Sequence, residues 1–189
     1  PLVLITASGP RGSVARATLR HAWLLSNRVE GRVPLLATPR TGRANLAELR
    51  LEGCVFADNR AAHGLEPWFT RQTTVADCLL AEHRLAGAWL RLVSPLARVH
   101  LEEGVVANAG ALVLYEIGPD VSRTDYPAVE AVRVVLHQSV APDSVELLCR
   151  DCSLCSSPTP RPDPAELAHL ARQGRTPDPA KLQRLMSMP

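Results

Sequence analysis

Apolar residues along this chain fall in short runs that alternate or are rich in branched side chains, the pattern of strands more than of amphipathic helices. The runs are Leu2–Thr6, Val14–Leu25, Val33–Ala37, Leu49–Ala57, Ala88–Leu101 and Val105–Ile117. Turn-forming clusters separate them: Ser8 to Gly12, Asn27 to Gly31 and Thr38 to Gly42. In Gly87–Val93, Trp89, Arg91 and Val93 share one side while Leu90 and Leu92 share the other. Two strand-like runs, Arg98–Leu101 and Val105–Ala107, flank Glu102-Glu103-Gly104 and predict a hairpin with an exposed acidic tip. Thr74 to Arg84 places Val75, Leu79 and Leu80 on one helical face, although it also suits a strand. Pro127 to Ala131 reads as helical, and Val132 to Leu136 as extended.

The last segment changes character. Ser156 to Pro164 is a Ser/Pro/Thr linker. Two Asp-Pro pairs follow, Asp163-Pro164 and Asp178-Pro179, each placed to start a short helix with proline at its first position. The chain therefore divides into a mainly β region over residues 1–155 and a Pro-rich linker with two short helices over 156–189.

Composition changes this picture little. The chain has 189 residues, 46% of them hydrophobic, which suits one globular domain with appendages. The longest apolar run, Val105 to Tyr115, is too short to span a bilayer as a helix. Residues Pro1 to Ala7 lack the basic flank of a signal peptide, and the chain reads as part of something longer. Net charge is +2, but residues 1–60 hold nine arginines against four acids, a basic third suited to phosphate.

Candidate chemistry is sparse. The spacing C-x-x-C-x-x-C of Cys149, Cys152 and Cys155 suits zinc, because one tight turn can supply two thiolates to a tetrahedral ion. One structural zinc ion and reduced structural cysteines are equal alternatives, with redox chemistry a lesser third. The fourth ligand is open among Cys54, Cys78, His137 and His63. No H-E-x-x-H, G-x-S-x-G or P-loop occurs, so a non-enzymatic role is expected. Glu66-Pro67-Trp68-Phe69-Thr70-Arg71 reads as a loop carrying two rings beside a cation, and bases stack on exposed rings. Trp68, Phe69 and Arg71, with Arg16 and Arg20 from the basic third, are the candidate nucleic-acid contacts.

The glycine-led run Gly87–Leu92, the charged hairpin and the strong apolar run after it resemble the later part of an oligonucleotide-binding (OB) barrel. Together with Thr73–Cys78 and the Cys149–Cys155 cluster, residues 70–156 are similar to the C-terminal region of the shieldin complex subunit 2 family. The resemblance implies an OB-like barrel with a few short helices and a small zinc-ribbon element. It also implies a nuclear, chromosomal adaptor at DNA double-strand breaks that binds single-stranded DNA, pairs with a small subunit like shieldin subunit 1, restrains end resection and favours end joining. The telomere-capping CST complex would give similar patterns. A protein-interaction scaffold without nucleic acid, such as a viral tegument protein, is the competing class.

Overall fold

Val14–Arg20 alternates exposed and half-buried residues along its whole length, as a strand with one face on a core must. The computed structural model describes residues 1–6, 14–39, 45–68, 70–81, 84–93, 97–107, 113–115, 128–137 and 146–155. Among these residues every regular element is a strand, so the chain is mainly β.

The strands follow one another as coils. After β1 (Val3–Leu4), the first coil carries β2 (Val14–Arg20), β3 (Trp23–Leu25) and β4 (Leu36–Ala37). The second carries β5 (Asn45–Glu52), β6 (Val55–Ala57), β7 (Arg60–Ala61) and β8 (Leu65–Glu66). The third carries β9 (Gln72–Ala76), β10 (Leu79–Ala81), β11 (Arg84–Leu85) and β12 (Leu90–Leu92). The fourth has β13 (Arg98–Glu102), β14 (Val105–Ala107) and β15 (Val113–Tyr115). The fifth has β16 (Ala128–Val132) and β17 (Val135–His137), and the last has β18 (Glu146–Arg150) and β19 (Ser153–Cys155).

Every described ladder is parallel and joins corresponding strands of successive coils. Sheet 1 runs β2-β5-β9-β13-β16-β18, sheet 2 runs β3-β6-β10-β14-β17-β19, and sheet 3 runs β1-β4-β8-β12-β15. A two-stranded ladder, β7-β11, lies between sheets 2 and 3 along the chain. The result is a parallel β-helix, in which each coil buries its inner face only by stacking on its neighbours.

The core fills the inside of the coils. Leu49, Leu51, Val75, Val99, Leu101 and Val129 from sheet 1 meet Leu24, Phe56, Leu80 and Val106 from sheet 2 and Leu36, Leu65, Leu90 and Leu92 from sheet 3. Trp89 is fully buried and sets its ring edge-on to Phe56, with centroids 6.0 Å apart and planes at 80°. Gly64 makes room for it, since a Cβ there would lie 2.7 Å from Trp89 Cδ1. Val55, Ala57, Leu79, Ala81 and Val105 form a second buried cluster in sheet 2.

The turn from sheet 1 to sheet 2 is the same in all six coils. His21, Gly53, Asp77, Glu103, Arg133 and Asp151 occupy it with φ between 48° and 61°, the left-handed region. For a side-chain-bearing residue that conformation costs about 1–2 kcal/mol. The stack offsets the cost, because in the first five coils the turn N–H reaches the next coil: His21 to the Glu52 carbonyl at 2.9 Å, Asp77 to that of Glu102 at 2.9 Å, Arg133 to that of Arg150 at 2.9 Å.

Several sequence expectations are corrected here. The predicted hairpin at Glu102-Glu103-Gly104 is a coil turn: Val99 pairs with Thr73 and Val129, and Val106 with Leu80 and Leu136. The described residues of the expected helix over 74–84 are not helical but contribute to β9, β10 and β11, and Ala128–Val132 is extended throughout. An OB barrel is an antiparallel Greek key, whereas these sheets are parallel and do not close on themselves. The linker and paired helices expected beyond residue 156 lie outside the described residues.

Candidate functional site

Parallel stacking repeats a side chain at the strand spacing, about 4.8 Å, so a residue type recurring at one coil position becomes a row. Arg28 bridges Arg60, and Arg60 pairs with Arg84, which aligns three arginines from three successive coils. All three are exposed. Asparagines one position before Arg28 and Arg60 hold the turn that presents those two. The buried Asn59 amide donates to the Leu24 carbonyl at 2.8 Å, and its oxygen accepts from the Asn27 backbone and side-chain N–H groups at 2.9 Å each. The arginines wall a groove of about 580 Å³ lined by small residues, Gly31, Ala61, Ala62 and Ala86, with Glu30 the one acid among its lining residues. Arg84 Nε lies 3.6 Å from Asp58 Oδ1. Arg28 and Arg60 make no ion pair among the described residues.

A second cavity, of about 380 Å³, adjoins the same stretch of chain. Residues 28–31 line the arginine groove, and Arg32, Val33 and Pro34 line this pocket together with Leu4, Thr38 and Trp68. Glu66, only 1% exposed, sits beneath it. Its carboxylate accepts from Arg91 Nη1 at 3.0 Å and from the Trp68 indole N–H. The Trp68 carbonyl accepts from the Thr38 and Thr70 hydroxyls at 2.9 and 3.3 Å. The ring is thus fixed at both ends, through its indole nitrogen and its backbone.

The residues singled out by sequence separate into different places. Trp68 lines the pocket just described, while Phe69 lies outside the described residues. Arg71 is exposed at the start of the third coil, its N–H donating to the Ala47 carbonyl at 3.0 Å. Arg16 and Arg20 stand on sheet 1, paired with carboxylates of the next coil: Arg16 with Glu48 at 2.9 Å and Arg20 with Glu52 at 3.2 Å. Desolvation works against ionisation of Glu52, but Arg20 and Arg50 hold its carboxyl below the usual range. Neither Arg16 nor Arg20 reaches the groove or the pocket.

The cysteines are ordered by the coil turns. Cys54, Cys78 and Cys152 each directly follow a left-handed turn residue, so they occupy equivalent positions in the second, third and sixth coils. The Cys54 N–H points to Cys78 Sγ at 3.4 Å, and Cys78 Sγ donates to the Ala76 carbonyl at 3.1 Å. The hydrogen bond with Cys54, and then burial, push the Cys78 thiol above its ordinary range. Desolvation, followed by the charge of Cys152, raises the Cys149 thiol above its ordinary range. Three coil spacings separate Cys78 from Cys152, about 14 Å, so neither Cys78 nor the more distant Cys54 can share an ion with the cluster. His63, in the second coil, is also remote. Of the four candidate fourth ligands only His137 neighbours the cluster, in register with Cys155. Among the described residues no three metal-ligating side chains converge.

The arginine row was missed at the sequence level, although a signal exists. Trp23-Leu24-Leu25-Ser26-Asn27-Arg28, Val55-Phe56-Ala57-Asp58-Asn59-Arg60 and Leu79-Leu80-Ala81-Glu82-His83-Arg84 share a degenerate pattern, three apolar residues, two polar ones and an arginine, hidden by unequal spacing. Comparison with protein-family models, curated proteins and solved structures returns no match. No helix is long and apolar enough to cross a membrane among the described residues.

Proposed function

We propose that this chain is a non-catalytic binding module that holds single-stranded nucleic acid, single-stranded DNA being the polymer the sequence suggested. The observation that carries the reading is the row Arg28, Arg60 and Arg84 along one open groove. Each guanidinium can grip one phosphate through two parallel hydrogen bonds, which a lysine cannot do. Among the described residues no carboxylate pairs with Arg28 or Arg60. The row spans two strand spacings, about 10 Å, and a flexible single strand can adjust its phosphates to that rise. A duplex is stiff over far longer distances and presents its phosphates on a fixed cylinder. The phosphate-binding part of this reading stands on the coil geometry and needs neither an OB barrel nor a small partner subunit; the choice of DNA follows the sequence resemblance.

The test is fluorescence anisotropy of a labelled oligonucleotide at low and physiological salt, with duplex DNA and a polyuronate of matched charge as competitors. Salt-sensitive binding that prefers the single strand is the expected result. Stronger competition by the polyuronate would transfer the groove to acidic polysaccharide. A folded protein with no binding at low salt would favour the scaffold role.

A further inference from the structure

We infer that the pocket at Trp68 is the base subsite of this interface, taking one unpaired base whose phosphates run on toward the arginine row; the inference rests on the binding function proposed above. Three observations lead to it. The pocket, about 380 Å³ and mostly apolar in its lining side chains, is of a size that holds a small planar group. Trp68 is half-buried and fixed before any ligand arrives, its indole N–H held by Glu66 and its carbonyl by Thr38 and Thr70. Glu66 is in turn held by Arg91 at 3.0 Å. A ring positioned in this way loses little freedom when a base stacks on it.

The third observation is continuity. Residues 28–34 form a wall of both cavities, with Arg32 on the pocket side and Arg28 on the groove side. A strand leaving the pocket along this segment passes Arg32, then Glu30 and Arg28, two cations against one acid, before the rest of the arginine row. An electroneutral apolar ligand would fill the pocket but leave that run of charge unused. Stacking is tolerant of base identity, so the subsite orders the strand without reading its sequence. Glu66 and Arg91 are positioning residues: they act on the base through Trp68.

The experiment compares a labelled oligothymidylate with an abasic oligodeoxyribose phosphate of the same length and charge. Base-containing DNA is expected to bind about 5- to 150-fold tighter, the worth of one stacked base. Trp68→Ala should abolish that preference while keeping the salt slope, and Trp68→Phe should restore most of it. Far-ultraviolet circular dichroism checks that each variant keeps its sheet. Equal, salt-dependent binding of both polymers by the unaltered protein would overturn the subsite and leave the arginine row standing. A preference that survives Trp68→Ala would also overturn it. Binding of neither polymer at low salt would remove both the subsite and the function it rests on.

Discussion

Replacing Arg60 with alanine tests the arginine row most directly, because Arg60 is its middle member and its side chain makes no ion pair among the described residues. Each phosphate neutralised on a single strand contributes about −0.7 to the slope of log K against log salt. Three arginines on three phosphates therefore predict a slope of about −2.1, an 18-fold loss of affinity between about 50 and 200 mM salt. Arg60→Ala should reduce the slope to about −1.4 and the loss to about 7-fold. Arg60 is exposed, so stability should move by no more than about 0.5 kcal/mol. The assay is an anisotropy titration of a labelled single strand at four salt concentrations, with a urea melt of each variant. Arg16→Ala is the comparator, since Glu48 already holds that guanidinium at 2.9 Å. An unchanged slope in Arg60→Ala, or an equal change in Arg16→Ala, would refute the assignment of phosphate contacts to this row.

Trp89→Ala should cost about 3–5 kcal/mol in a urea melt, because the ring is fully buried against Phe56 and the collapsed coil cannot refill its volume. Desolvation, then the charges of Glu103, Glu102 and Glu52, raise the Asp77 carboxyl above its ordinary value. The folded protein thus holds that proton more tightly, and Asp77 removes stability as pH rises through the carboxylate range. Asp77→Asn, whose side chain tolerates the left-handed turn, should be more stable than the unaltered protein at neutral pH. The gain should vanish on acidification, as followed by melts across pH. Alkylation of the native protein read by peptide mass spectrometry should modify the exposed Cys149 before the buried Cys54 and Cys78; the reverse order would contradict the stacked turns.

Strand-rich character was legible because alternation and branched residues are local signals. Val14–Leu25 and Leu49–Ala57 were found as apolar runs, yet each is two strands broken by a turn, at His21 and at Gly53. Only glycine announces a left-handed turn reliably. Histidine, glutamate and arginine at the same position give no such warning, and the hydrogen bonds between coils are what hold them there. The C-x-x-C spacing drew attention to Cys149 and Cys152, which stand on either side of the last coil turn at Asp151. What the spacing could not show is that Cys54, Cys78 and Cys152 are one row seen at three heights of the stack.

The sequence by itself determined a β-rich chain and the presence of a basic N-terminal third. The tertiary structure alone decided that the strands run parallel, since a short alternation of apolar and polar residues reads the same for either direction of pairing. It also decided which arginines stand together. The register sets Arg16 against Glu48, Glu48 against Gln72, Gln72 against Arg98, Arg98 against Ala128 and Ala128 against Glu146, so coils of 32, 24, 26, 30 and 18 residues stack in one ladder. Excess length is absorbed outside the sheets, where it costs little. Residues unevenly spaced along the chain thereby become evenly spaced along the axis, and the row of Arg28, Arg60 and Arg84 exists only after that folding.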